Sequence, residues 1–310
     1  MHNYYPIIDA HAHLWLKQDT VVDGKRIRTL HNGRSEFMGE ERQMLPPFMT
    51  DGRNTAEVFL SNMDYAQVSA AVIVQEFIDG MQNDYLAEVW SRYPHRLKVT
   101  GLLPYLQSVN TTKVEELLSQ GFCGMTIPGH RLRREDGSRL ALNDPNMMQM
   151  YQVMNAHHAI LSLALEPGTG QIAEVEDIIH TFPGLKIAIA HFGMVGSEGW
   201  MEQIRLARHK NVMIESGGIT WLFNDEFYPF PGAIRAIRKA ADEVGIEKLM
   251  WGSDYPRTIT AITYRMSYDF FTKSAAFNDE EKRLFLGENA RRFYQFEDPV
   301  HLPYIKNMSE

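Results

Sequence analysis

The chain has 310 residues, 44% apolar and 23% charged, with a formal net charge of −8; that length suits one α/β barrel, which typically needs about 250 residues. The acidic balance carries no basic stripe that would mark a nucleic-acid footprint, since the cluster Arg131-Leu132-Arg133-Arg134 is local. No apolar run approaches the ~20 residues of a membrane span, the first residues lack a secretory signal's basic region and apolar core, and the single Cys123 excludes an intrachain disulfide and fits a reducing, cytoplasmic setting.

Residues 7–15 (Ile-Ile-Asp-Ala-His-Ala-His-Leu-Trp) open as a short β-branched run, which predicts a buried strand. Its end carries His11 and His13. Side chains two apart on a strand share a face, and two neutral imidazoles aimed at one point make half of a divalent-metal site. The polar stretch 17–53, with Gly24, Gly33, Gly39 and Gly52, is too long for an ordinary connection and reads as a loop forming a lid or substrate wall.

From there the chain alternates. A helix is expected over 55–64, then a strand over 68–74 ending at Gln75 and Glu76. Asn83 is a candidate cap for a helix over 84–92, and a strand follows over 97–103. A helix over 111–120 precedes a strand over 121–127, which leads into His130, Arg131, Arg133 and Arg134. Pro145 suits the first turn of a helix over 145–157. The strand over 159–165 ends at Glu166, the strand over 186–190 ends at His191, and a helix over 172–181 lies between them. A helix over 198–209 leads to a strand over 212–214 ending at Glu215 and Ser216. A helix over 231–244 leads to a strand over 248–251, followed by Gly252-Ser253-Asp254-Tyr255-Pro256. Two last helices are expected over 261–275 and 279–294.

Strand–helix alternation implies parallel strands, and eight can close into a (β/α)8 TIM barrel, here one domain over 1–310 with a long loop after its first strand. An open doubly wound sheet is the alternative, but no Gly-rich fingerprint follows the first strand. In such barrels the chemistry sits at the C-terminal strand ends, which is where His11, His13, Gln75, Glu76, Glu166, His191, Glu215 and Asp254 fall.

Four segments together resemble the amidohydrolase superfamily, in its amidohydrolase-related family 2 branch of pyrone-dicarboxylate and sugar-lactone lactonases and non-oxidative decarboxylases. They are Ile8-Asp9-Ala10-His11-Ala12-His13-Leu14-Trp15, Ala190-His191-Phe192-Gly193, Gly252-Ser253-Asp254-Tyr255-Pro256 and Glu288-Asn289-Ala290-Arg291-Arg292-Phe293-Tyr294. The resemblance implies that His11 and His13 are metal ligands. It implies that Asp254 touches the metal and acts as general base, and that His191 polarises the substrate carbonyl or shuttles a proton. One departure stands out: the branch's metal-dependent decarboxylases carry a further histidine at the end of strand five, where this chain has Glu166. Glu166 is either an oxygen ligand to the metal or the mark of a metal-poor site such as lactonases of this type tolerate.

The expected cofactor is one divalent ion, zinc before manganese, with a metal-free site as the alternative. The expected substrate is a small carboxylate or lactone, opened by water attack; decarboxylation of an aromatic or enoic acid and a non-catalytic binding barrel are the competing readings. Barrels of this kind commonly dimerise. Arg131, Arg133, Arg134, His130 and Arg257 are candidate carboxylate holders, since guanidinium forks suit carboxylates. Gln75 ends a buried strand and needs a partner, either substrate or backbone. Trp15 and Trp221 either stack on a ring or cap the core. Glu76 reads as structural, Cys123 and the methionines of 147–154 as packing, and His157-His158 as a helix end.

Overall fold

The apolar runs fold as short strands hydrogen-bonded in chain order, eight of them in one parallel sheet: β1 (Ile8–Ala12), β6 (Ala70–Ile73), β7 (Leu97–Gly101), β8 (Gly124–Pro128), β9 (Ile160–Ala164), β10 (Lys186–Ile189), β11 (Val212–Glu215) and β12 (Leu249–Met250). The last strand returns to the first. The Ala10 amide donates to the Trp251 carbonyl at 2.9 Å, and the His13 amide donates to Tyr255 at 2.8 Å. This computed structural model describes residues 5–107, 109–134, 136–297, 300–306 and 308. Every residue of β1, β6, β8, β9, β11 and β12 is buried. Such strands are apolar on both faces because helices cover the outside and side chains fill the inside.

The helices between the strands are α1 (Ala56–Ala66), α2 (Asn83–Arg92), α3 (Thr111–Ser119), α4 (Pro145–Ala156), α5 (Ile172–Thr181), α6 (Trp200–Arg205), α7 (Ile219–Leu222) and α8 (Pro231–Val244). Thr55, Asn110 and Asp144 cap α1, α3 and α4 with side-chain oxygens. Asn83 is not a cap. It lies inside α2, where its amide oxygen accepts from Leu102 N at 3.0 Å. The expected helix over 261–275 shortens to α9 (Met266–Thr272). That over 279–294 divides into α10 (Asp279–Arg283), a π turn and α11 (Asn289–Tyr294). No helix of the described residues is long and apolar enough to cross a membrane.

The interior of the barrel is a separate apolar cluster that includes Ile8, Val72, Ile160, Met213 and Met250. Phe293, Tyr294 and Phe296, in and just after α11, pack into that cluster. A filled barrel of this kind is a core rather than a channel, which leaves the strands' C-terminal ends as the rim where polar groups gather.

The stretch 17–53 is not an irregular loop. It forms a four-stranded antiparallel meander, β2 (Asp19–Val22), β3 (Lys25–Thr29), β4 (Arg34–Phe37) and β5 (Glu40–Gln43). Val22 pairs with Lys25, and Phe37 with Glu40. The two-residue turns Asp23-Gly24 and Met38-Gly39 have φ of 51°/69° and 54°/88°. Positive φ at both central positions is the hairpin geometry that Asp-Gly favours. Val22, Ile27 and Phe37 face inward together and pack on Ile78 in the segment after β6. The meander is thereby fixed as a wall beside the barrel mouth.

Candidate metal and catalytic centre

His11 and His13 leave β1 on one face, as the period-two spacing predicts, and their Nε2 atoms stand 3.0 Å apart. Each ring's other nitrogen faces a buried carboxylate. His11 Nδ1 is 2.6 Å from Glu215 Oε1 at the end of β11. His13 Nδ1 makes an ion-pair contact with Asp79 Oδ2 at 3.0 Å. A carboxylate only accepts, so each Nδ1 carries the proton, and a ring that is neutral presents its Nε2 lone pair. Asp254 Oδ1 completes the group, 3.2 Å from His13 Nε2 and 3.7 Å from His11 Nε2.

Two lone pairs and a carboxylate oxygen facing one another repel unless a cation lies among them. Without a metal the cation is a proton: burial opposes charge on His13, but Asp79 and Asp254 outweigh it and hold its pKa at about 10. The donor set fits a divalent ion equally well. Four ligands at ~2.1 Å in a tetrahedron lie roughly 3.4 Å apart, and the observed separations of 3.0, 3.2 and 3.7 Å bracket that edge. The carboxylates behind the two histidines are the outer partners that fix ring tautomer and orientation in metal sites.

The backbone is forced to make this arrangement. Asp254 and His191 have φ of 56° and 55°, a left-handed conformation that costs a non-glycine residue about 1–3 kcal/mol and tends to sit at functional sites. The neighbouring bonds hold it. Asp254 N donates to His11 O at 2.9 Å. The fully buried Asp9 carboxylate accepts from His11 N at 3.0 Å, Ser253 N at 2.8 Å, Ser253 Oγ at 2.5 Å and Tyr264 OH at 2.7 Å. Asp9 thus ties the His11 segment to the Asp254 segment, and burial still pushes its pKa up to about 6 against those four bonds. Trp221 Nε1 donates to Asp254 Oδ2 at 2.7 Å, leaving Oδ1 directed at the histidines.

A cavity of about 270 Å³ opens beside this group of three donors, lined by His13 and Asp254. His191 lies on its wall, with its ring centroid 4.8 Å from that of His11. His191 Nδ1 donates to Gly217 O at 2.9 Å, since a carbonyl can only accept. Burial and the nearby His11 lower its pKa, so the ring is neutral with Nε2 unprotonated. Trp15, His130, Arg131 and Arg257 also line the cavity. The indole of Trp15 donates to Gly52 O at 3.0 Å. Arg131 Nε donates to Glu76 Oε2 at 2.5 Å, and His130 Nε2 is 3.4 Å from the same oxygen. Burial favours the neutral acid of Glu76, but His130 and Arg131 outweigh it and hold its pKa at about 2.

The other expected residues are placed elsewhere. Glu166 stands apart from the three-donor group and accepts from Arg133 Nη2 at 2.5 Å, with Arg139 Nε at 3.9 Å. The strand-five carboxylate is neutralised by arginine rather than offered to a cation. Arg133 is therefore engaged, and Arg134 is exposed; neither lines the cavity. Gln75 spends its amide on the fold, donating to Thr100 O at 2.7 Å and Asn83 Oδ1 at 2.9 Å and accepting from Gln82 N at 2.7 Å.

A family model described as amidohydrolase matches residues 8–296. The chain belongs to the amidohydrolase family. This amidohydrolase matches no curated protein in sequence, but its fold recurs in solved structures. A probable 2-pyrone-4,6-dicarboxylic acid hydrolase of Acinetobacter baumannii with citric acid bound superposes with a TM-score of 0.70 at 21% identity, over 94% of this chain and 99% of that one. An amidohydrolase of Burkholderia multivorans with bound zinc gives 0.66 at 14%, over 94% and 99%. The 5-carboxyvanillate decarboxylase of Sphingomonas paucimobilis gives 0.61 at 17%, over 94% and 99%.

In the amidohydrolase the partners of the two histidines were the least legible part of the site. Asp79 sits in a single-turn helix, Phe77–Asp79, after β6, with no sequence pattern to mark it. Asp9 did carry a signal, because an acid inside an apolar strand run must find donors. Glu215 carried a weaker one, as a strand-end carboxylate beside Gly217, whose amide it accepts.

Proposed function

We propose that this amidohydrolase opens a small carboxylate-bearing lactone by attack of water on the ring carbonyl. The observation that carries the reading is the meeting of His11 Nε2, His13 Nε2 and Asp254 Oδ1 beside a cavity walled by the neutral His191. These three residues would hold one divalent ion. Two imidazoles with one carboxylate suit zinc, with manganese as the alternative. Such an ion, when bound, polarises a carbonyl and lowers the pKa of a water toward ~7.

The chain's own residues manage the proton. Asp254 takes it from the attacking water as the new C–O bond forms. The Trp221 N–H on Oδ2 favours the ionised form of this carboxyl and makes it a weak base, so the proton passes on. His191 Nε2 receives it and delivers it to the ring oxygen as the carbonyl–oxygen bond breaks, leaving a hydroxy acid. Lactone opening is favoured over decarboxylation by Glu166. The resemblance puts a histidine at that strand end in the metal-dependent decarboxylases, and here the position is a carboxylate paired with Arg133. The citrate-bound relative supports a carboxylate in the cavity, and the lone Cys123 supports a reducing, cytoplasmic setting.

A panel of lactones followed by pH-stat, with carbon dioxide monitored, tests the reaction. Acid release without gas is expected; carbon dioxide release overturns the lactone reading. Asp254→Asn should lower turnover by about a hundredfold or more, the scale of losing a general base.

A further inference from the structure

The arginines at the cavity rim are not equivalent. Arg131, on the wall after β8, is bonded through Nε to Glu76 Oε2, and His130 flanks the same carboxylate. The Arg131–Glu76 pair presents no net charge to a ligand, and Glu76 itself lines the cavity. Farther out, Arg133 is matched by Glu166, and Arg139 by Glu174. Arg257 differs. It lines the cavity, is exposed at its mouth, and has no carboxylate partner among the described residues. Its guanidinium carbon lies over the Trp221 ring, 5.4 Å from the centroid. That indole is fixed by its bond to Asp254 Oδ2, so the unpaired cation is held in register with the reacting end of the site. Arg257 also borders a second cavity of about 250 Å³, walled by Thr220, Asn224, Thr258 and Thr260 as well as by Trp221. Arg257 and Trp221 thus border both cavities.

We propose that the cavity selects a ring acid with a single carboxylate, which Arg257 holds from its seat on Trp221, and disfavours a second carboxylate because Glu76 already occupies Arg131. This rests on the lactone reading for the identity of the ring, and deepens it by fixing the substrate's charge. An exposed fork can pair with one carboxylate in two parallel hydrogen bonds. A second carboxylate on such a ring finds no free cation at Arg131, because Glu76 already balances that charge, and it would be desolvated without a partner.

Isothermal titration of the metal-loaded protein with benzoate and isophthalate, which differ by one carboxylate on the same ring, tests the selection without turnover. Wild type should bind benzoate at least as tightly as isophthalate. Arg257→Met should weaken benzoate about tenfold, and Arg257→Lys should recover part of that loss. Glu76→Gln should shift the preference toward isophthalate by about tenfold. The proposal is overturned by tighter binding of isophthalate to wild type, by no heat with either acid, or by Arg257→Met binding benzoate within about twofold of wild type. Turnover of 2-pyrone-6-carboxylate is scored separately. No hydrolysis with the binding pattern intact removes lactone opening and leaves the single-carboxylate anchor standing.

Discussion

Replacing Glu215 with glutamine tests the tautomer logic on which the cation site depends. Glu215 is 1% exposed, and its two oxygens accept from His11 Nδ1, at 2.6 Å, and from Gly217 N. A carboxylate satisfies both donors; an amide offers one acceptor and one donor. If the amide oxygen keeps Gly217, its NH2 faces His11 Nδ1, and the imidazole proton must move to Nε2. That nitrogen can then no longer ligate, and its N–H points at His13 Nε2, 3.0 Å away. If the oxygen keeps His11, the buried Gly217 N–H meets another donor, at a cost of about 1–3 kcal/mol. The ligating tautomer is therefore disfavoured by roughly 1.4–2.8 kcal/mol, equivalent to a 10–100-fold loss of metal affinity, the range seen for outer partners of metal-bound histidines. Competition with a chromophoric chelator measures the zinc affinity directly. Thermal unfolding gives a second reading, because an ion at a hundred times its Kd adds about 2.7 kcal/mol, and a tenfold weaker site forfeits about half of that. A folded Glu215→Gln protein that binds zinc within about threefold of wild type would refute the reasoning.

Three further outcomes are expected. Trp221→Phe keeps the ring but removes the 2.7 Å bond to Asp254 Oδ2; losing a bond to a charged group costs about 1.5–3 kcal/mol, so kcat should drop roughly 10–100-fold, and a drop under about threefold would show that Trp221 does not position Asp254. Glu76 has its pKa held down from 4.5 to about 2. A depressed carboxyl contributes stability above its unfolded value and loses it as pH falls through the folded one. The contribution, about 3 kcal/mol at most near pH 6, should roughly halve by pH 3; urea titrations of wild type and Glu76→Gln should converge on acidification, and a constant gap between them would contradict the assignment. Gly124 lies where β8 meets β9 so closely that an added Cβ would stand 1.8 Å from Ile160 O. Gly124→Ala should therefore cost about 3 kcal/mol or more, and a melting temperature within about 2 °C of wild type would show that the strands can part there without penalty.

The fold follows from the residues where the signal is local. Largely apolar runs such as 68–74 and 159–165, each broken by a single serine, form fully buried strand segments, because a strand covered on both faces has little polar surface to alternate with. The meander over 17–53, expected as a loop, carries one local signal of its own, the two-residue hairpin turn Asp23-Gly24. Its strands are largely exposed and charged, so no apolar run announced them. Glu166 illustrates a different limit. A carboxylate at a strand end has the chemistry of a ligand, and whether it meets a cation or Arg133 depends on a contact 33 residues away in the chain. Gln75 was expected to find either substrate or backbone, and Thr100 O is what it met.

The number and order of the barrel strands and the shared face of His11 and His13 are written in the residues, since both follow from periodicity within a few positions. What stands behind those histidines is set by the folded chain. Glu215 lies 204 positions from His11, and the ring of strands sets them side by side because parallel strands all end at one rim. Spacing along a chain carries no measure of that distance through space, and it is the through-space partner that fixes which nitrogen holds the proton and which is free to bind a cation.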